Sequence, residues 1–371
     1  MTNEAVPPLY VTKPWLPPLE ELTPYFEQIW SSKILSNMGP LHQRFEREVA
    51  EYLGVKHISV VANATIALVL ALRRFKMKGE VITTPFSFVA TANSIVEAGL
   101  KPVFVDVLPG TYALDPAQIE ANITPETCAI MPVHCFGYGC DTAAIDAIAK
   151  KHNLKVIYDA AHAFGIRDQG GSILRHGNAS ILSFHATKVF TTFEGGAIIS
   201  ETEEDKREVD RLTNFGFNGD IVDEVGTNAK MSALGAAVGL VLLKHIDTLI
   251  AERGKRDAIY RELLRDVPGI KALDWPAGQT RNYYNFPVLV EDSFPVRCEE
   301  LVERMKERGV FGRRYFYPLL PDFPIHKDAR GARAPLPVAR DVASRIMCLP
   351  LHPTLTLEEQ QRVVDSIRRV L

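Results

Sequence analysis

Between His57 and Asp159 short apolar runs alternate with amphipathic segments, and little else in the chain restricts its fold so strongly. His57–Val61, Val81–Thr84, Lys101–Val107, Cys128–His134 and Lys155–Asp159 read as strands. Ile66–Phe75, Val89–Ala98, a short segment around Ile119 and Ala143–Lys151 read as the helices between them. Strands that alternate with helices across short connections form a parallel sheet with helices on both faces. Ligands of such sheets sit at the carboxyl ends of the strands. Asn63, Phe86 or Phe88, Asp159 and Ser183 all fall at or just after such ends.

Downstream, Ile181–Phe184 and Ala197–Ile199 read as two further strands with Lys188 between them. Gly195 and Gly196 are expected to let that loop turn tightly. A lysine after a strand is most often a solvated loop residue, and the segment upstream is what changes this reading. There, Val156–Asp159 is a buried strand that ends in a carboxylate, with His162 three residues on. Pyridoxal 5′-phosphate asks a protein for a lysine to meet its aldehyde, an acid to keep its pyridine nitrogen protonated, and donors for its phosphate. Lys188, Asp159 and Ser183 offer one of each. The turn Asn63-Ala64-Thr65 opens a helix, and free N–H groups at a helix start suit an anion. The same turn is equally an N-capped helix start, with Asn63 or Thr65 as cap and no ligand.

A chain of 371 residues has room for two domains. The formal net charge of −3 gives no electrostatic reason to expect nucleic acid or an anionic membrane as partner. No apolar run reaches the length of a membrane span, and the opening residues lack the basic-then-apolar pattern of a secretory leader. Cys128, Cys135, Cys140, Cys298 and Cys348 are irregularly spaced and complete no zinc pattern. Reduced thiols of a cytoplasmic protein without a metal are therefore expected.

Toward the N-terminus a helix is expected to start at Pro24 with Thr23 as cap, burying Tyr25, Phe26, Ile29 and Trp30. A second helix through Phe45, Val49 and Tyr52 should end at Gly54. Residues 214–228 read as a long polar loop. A long helix begins near His245, and the expected division is a large domain, 1–245, followed by a smaller α+β domain, 246–371. In the latter, Tyr315 and Tyr317 alternate with Phe316 as strand residues would.

These residues together resemble the DegT/DnrJ/StrS group of sugar-nucleotide aminotransferases. The likeness is carried in order by Gly39–Gly54 with Val61–Leu72, Thr84-Pro-Phe-Ser-Phe88-Val-Ala-Thr91, Met131-Pro-Val-His134, Asp159-Ala-Ala-His162, Ser183–Gly196, Gly226–Ser232 and Leu349-Pro-Leu351. It implies the aspartate-aminotransferase type I fold: an α/β large domain, its mainly parallel mixed sheet flanked by helices, and a smaller C-terminal α+β domain. It also implies that pyridoxal 5′-phosphate is held by Lys188, with Asp159 on the ring nitrogen, His162 near the ring oxygen and Phe88 stacked on the ring. Ala64, Thr65 and Ser183 would hold the phosphate, joined by Asn228 from a neighbouring subunit, so the active unit would be a homodimer with shared sites. Two positions depart from the usual pattern: Ala64 stands where glycine is common, and Lys230 where arginine is.

Val11–Glu20 and Arg313–Pro318 look most like the branch that aminates C4 of a dTDP-4-keto-6-deoxy-glucose, with L-glutamate as donor; C3 amination, or a GDP- or UDP-linked sugar, is the alternative. His185, Arg313, Tyr315 and Tyr317 are the candidates for substrate contact. His134 and His185 are equally readable as packed histidines, and Arg313 and Arg314 as solvated surface. A related class of deoxygenating dehydratases carries histidine in place of the lysine, and a ligand-sensing regulator would need none of Lys188, Asp159 and Ser183.

Overall fold

The computed structural model describes residues 7–371; the reading of the first six residues lies outside them. Seven strands form the main sheet: Ile58–Val61 (β1), Glu80–Thr83 (β2), Lys101–Phe104 (β3), Thr127–Met131 (β4), Lys155–Asp159 (β5), Ala179–Ser183 (β6) and Gly196–Ser200 (β7). Their order is β1-β7-β6-β5-β4-β2-β3. Strand β7 runs antiparallel to both of its neighbours, and the remaining pairs are parallel. The exception has a plain cause. Residues 184–195 contain no helix to carry a crossover, so the chain returns beside β6 in the opposite direction. That returning loop is the one that bears Lys188.

Both faces of the sheet are covered, as strand alternation requires. Val60, Leu182, Ala197 and Ile199 point to the side packed by Leu19–Ser32 (α1), Pro40–Leu53 (α2) and Ala233–Leu243. Val61, Ile181 and Ile198 point to the other side, packed by Ala64–Arg74 (α3) and Glu203–Thr213. Helix α1 starts at Leu19, not at Pro24. Leu22 joins Tyr25 and Ile29 on the buried stripe, and Glu20 and Glu21 suit a first turn, so the helix extends past the proline. Trp30, expected on the buried face, is 72% exposed. The loop after residue 213 holds a small hairpin, Phe217–Asn218 with Ile221–Val222.

The smaller core is built on an antiparallel sheet of Ile270–Ala272, Phe286–Val290 and Ile346–Leu349. Helices Cys298–Lys306 and Leu357–Arg368 pack against it. The long helix Ile246–Leu264 serves both cores: Ile246 and Leu249 pack with the large one, Tyr260 and Leu264 with the small one. Leu9 also packs in the small core, because Leu9–Tyr10 pairs with Val310–Phe311. Residues 312–317 do not continue that strand. Phe316 is drawn instead against Phe86 and Phe136, with ring centres 5.4 Å and 5.8 Å away.

All five cysteines are free thiols. Among the described residues no single helix is long and apolar enough to cross a membrane.

Candidate active site

The carboxyl end of β6 leads into the lysine loop and the carboxyl end of β5 into Asp159. Strand β1 leads into the start of α3. These strand ends, together with Tyr284 and residues 313–316, enclose a cavity of about 260 Å³. Lys188, Asp159, His162, Ser183, Ala64, Thr65 and Phe88 all line it, as do His185, Arg313 and Tyr315.

Lys188 is half-buried, and burial of its amine brings its pKa down to about 8, against the pull of Asp159 toward a higher value. Only the neutral amine attacks an aldehyde, and that form is lost as pH falls through the pKa. The rate at which the cofactor-free protein captures pyridoxal 5′-phosphate should therefore rise with pH to a plateau, with a midpoint near 8. Stopped-flow absorbance would measure it, and a midpoint near the ordinary lysine value of 10.5 would refute the assignment.

Asp159 is buried, and its carboxylate is oriented by two donors: the Thr91 hydroxyl at 2.7 Å and the Ala161 amide at 3.2 Å. Burial raises its pKa despite them, so the site favours a cationic partner beside this carboxylate. His162 accepts a hydrogen bond on Nδ1 from the Phe136 amide at 3.2 Å. Its remaining proton is thus on Nε2, and burial keeps the ring neutral. His134 lies outside the cavity. It is fully buried, stacks on Tyr158 at 4.8 Å and accepts from the Cys140 amide.

At the start of α3, Asn63 caps the helix by accepting from the Ile66 amide at 2.9 Å. The Ala64 and Thr65 amides have no hydrogen-bond partner among the described residues and lie at the positive end of the helix. Ala64 is an ordinary first helical residue without positive φ, so alanine is unstrained at this position. The glycines of the lysine loop also work differently from the sequence expectation. Phe193, at φ 69°, takes the left-handed turn, while Gly195 and Gly196 have no positive φ. Gly196 is needed for close approach: a Cβ there would stand 2.7 Å from the Ala64 amide nitrogen and 2.8 Å from the Asn63 carbonyl carbon. Gly196→Ala should push β7 away from this turn, costing about 1–3 kcal/mol of stability and weakening cofactor binding. Thermal unfolding with and without cofactor would show both, and an unchanged cofactor-dependent increment would separate the turn from the phosphate.

Tyr317 is not brought into the cavity, and Asn228, expected to serve a neighbouring subunit, lies outside that of its own chain. Tyr317 is 50% exposed beneath the Arg314 guanidinium, 3.5 Å from its ring centre. It lines a shallower neighbouring depression with Phe88, Arg313 and Tyr315, because Phe316 takes the inward position. Asn228 is exposed and absent from the cavity of its own chain. Its loop is tied to the edge of the sheet, where the Ala62 amide donates to the Ala229 carbonyl at 2.7 Å. Sequence reasoning in turn passed over Tyr284, Thr187 and Phe316, which also line the cavity. Their apolar and aromatic surroundings read only as core.

A half-buried amine of lowered pKa, a buried carboxylate and unpartnered amides at a helix start, facing one cavity, fit pyridoxal 5′-phosphate group by group. Comparison with known proteins gives the same picture. The family model for DegT/DnrJ/EryC1/StrS aminotransferases matches residues 19–368. Over 365 residues the chain is 52% identical to the dTDP-4-amino-4,6-dideoxy-D-glucose transaminase of Shigella dysenteriae, covering 98% of this chain and 99% of that one. The Escherichia coli transaminase of the same description is 44% identical over 374 residues, covering 100% and 99%. Among solved structures, DesI in the presence of its TDP-sugar product superposes with a TM-score of 0.94 at 34% identity, over 98% of this chain and 93% of that one.

Proposed function

Because the chain belongs to the DegT/DnrJ/EryC1/StrS aminotransferase family, whose members depend on pyridoxal 5′-phosphate, we propose that it transfers the amino group of L-glutamate to C4 of dTDP-4-keto-6-deoxy-D-glucose. The observation that carries this reading is the full-length likeness, at 52% identity, to a transaminase named for the corresponding 4-amino sugar. The cavity supports it. When bound, the cofactor supplies an electron sink for the C–H bond that is broken next to nitrogen.

Lys188 would hold the cofactor through its amine and, once free of it, would carry the proton. Asp159 would pair with the ring nitrogen and keep it protonated. His162 would offer a neutral Nε2–H donor to the ring, and Phe88 would pack on it. Ala64, Thr65 and Ser183 would receive the phosphate. His185, Arg313 and Tyr315 face the substrate side of the cavity, with Tyr317 just beyond them; a guanidinium there suits a diphosphate or a carboxylate. The test is a panel of dTDP-, UDP- and GDP-linked 3-keto and 4-keto sugars incubated with glutamate, the new amine being located by NMR. Amination at C4 of the dTDP sugar is expected. Amination at C3, or preference for another base, would overturn the assignment within the family.

The active unit is a homodimer in this reading. Asn228, exposed on its own chain, would reach the phosphate of a second copy's cofactor. Lys188→Ala and Asn228→Asp are each expected to be inactive, the second because a carboxylate repels the phosphate. Purified heterodimers of the two hold one doubly defective site and one whole site, so they should regain up to about half the activity per dimer. Verified heterodimers that stay inactive would show that Asn228 does not serve the other subunit.

A further inference from the structure

Tyr284 and Lys188 are 96 residues apart in sequence, yet the Lys188 amine donates a hydrogen bond to the Tyr284 hydroxyl at 3.3 Å. The same amine lies 4.9 Å from the centre of the tyrosine ring. The ring packs on His162 in turn, with centres 4.5 Å apart. Tyr284 therefore touches both the Lys188 amine and the His162 ring, and it is nearly fully buried.

Its backbone is pinned from two sides. Asn282 accepts from the Tyr284 amide at 3.1 Å and donates to the carbonyls of His162 at 2.8 Å and Phe164 at 3.0 Å. This ties the tyrosine to the turn that follows Asp159. On the other side Arg253, from the long helix shared by the two cores, donates to the carbonyls of Tyr283, Tyr284 and Leu351. Arg253 is buried, and among the described residues its hydrogen bonds go only to carbonyls. A buried guanidinium held only by carbonyls is costly to keep, and what it secures here is the position of this strand end against the cavity.

We propose that Tyr284 is a catalytic residue of this site: it receives the Lys188 amine whenever that amine is free of the cofactor, and aims it at the substrate carbon during proton transfer. The proposal rests on the reading of Lys188 as the cofactor lysine. While free, Lys188 alternates between neutral and cationic forms. The hydroxyl accepts a hydrogen bond from either form, and the ring face attracts the cation. Burial pushes the Tyr284 hydroxyl up to about 12, so it keeps its own proton throughout and works by position. The other titratable groups that line the cavity around Lys188 are Asp159 and His162 after β5, His185 and Glu194 in the lysine loop, and Arg313 and Tyr315. Among the described residues only Tyr284 is hydrogen-bonded to the amine.

The test uses Tyr284→Phe, which keeps the ring, Tyr284→Leu, which removes it, and Tyr283→Phe as control. For each, the cofactor is fixed by borohydride and located by peptide mapping, the rate of cofactor capture is followed against pH, and the glutamate half-reaction is timed in single turnover. Tyr284→Phe should still carry the cofactor on Lys188. Its half-reaction should slow by about 10- to 100-fold, the range for a hydrogen bond to a charged group. Its capture midpoint should fall by about half a unit to one unit, since the cationic amine has lost an acceptor. Tyr284→Leu should slow further, and Tyr283→Phe should match the parent. A parent protein labelled at Lys188 beside a Tyr284→Phe variant with unchanged rate and midpoint would overturn this proposal alone. A parent protein with no label at Lys188 would overturn it together with the reading beneath it.

Discussion

Lys188→Ala is expected to abolish turnover, by about 10⁴-fold or more, while the protein folds as before. Two losses add in this variant. No amine remains to hold the cofactor covalently, and no base remains to carry the proton, a function worth about 10²–10⁴-fold by itself. The fold should tolerate the change. The side chain lies at the cavity wall, and burial disfavours its charged form, so removing it relieves an unfavourable charge rather than breaking an ion pair. The visible absorbance of the lysine-bound cofactor should vanish, while free cofactor should still bind, more weakly, through the phosphate turn at Ala64, Thr65 and Ser183. Near-normal activity in this variant would remove the assignment of Lys188.

Asp159→Asn is the second large effect. Asparagine matches the carboxylate in shape, and its amide can meet Thr91, whose hydroxyl also bonds the Ser87 hydroxyl at 2.8 Å. Local structure should therefore survive, and the cofactor should stay covalently in place. What is lost is the negative charge that keeps the ring nitrogen protonated, and with it most of the ring's capacity to accept electrons. A fall in the glutamate half-reaction of about 10³-fold or more is expected, in line with the removal of a strong preorganised electrostatic partner. Retention of activity to within about tenfold would make Asp159 a packing residue and require another acid.

The parts of this site that could be read from the sequence are those set by local pattern. A strand that ends in a polar residue announces itself over a few positions, so Asn63, Asp159 and Ser183 could be named from alternation alone, and Lys188 from its place between two strands. The direction of β7 was less accessible from its own residues, because antiparallel return depends on what the lysine loop lacks. The roles of glycines divide in the same way. Gly195 and Gly196 suggested a turn, but the backbone that a Cβ at Gly196 would strike belongs to Asn63 and Ala64, far away in the chain. Helix α1 begins before Pro24 because tertiary packing of Leu22 outweighs the local start signal at Thr23-Pro24. Tyr284 left no mark in the sequence at all. It is one aromatic residue before a buried strand, and its link to Lys188 exists only once segments 96 residues apart pack together. Asn228 was reached through resemblance, and a single chain leaves it outside its own cavity.

Borohydride reduction of the cofactor-loaded protein, with and without prior L-glutamate, followed by peptide mapping, tests the central claim most directly. Without glutamate, the reduced cofactor should be found on the peptide that contains Lys188 and on no other lysine. After glutamate in the absence of a sugar acceptor, that label should disappear, because the donor's amino group has released Lys188. A label on a different lysine, or one on Lys188 that glutamate leaves untouched, would contradict the account.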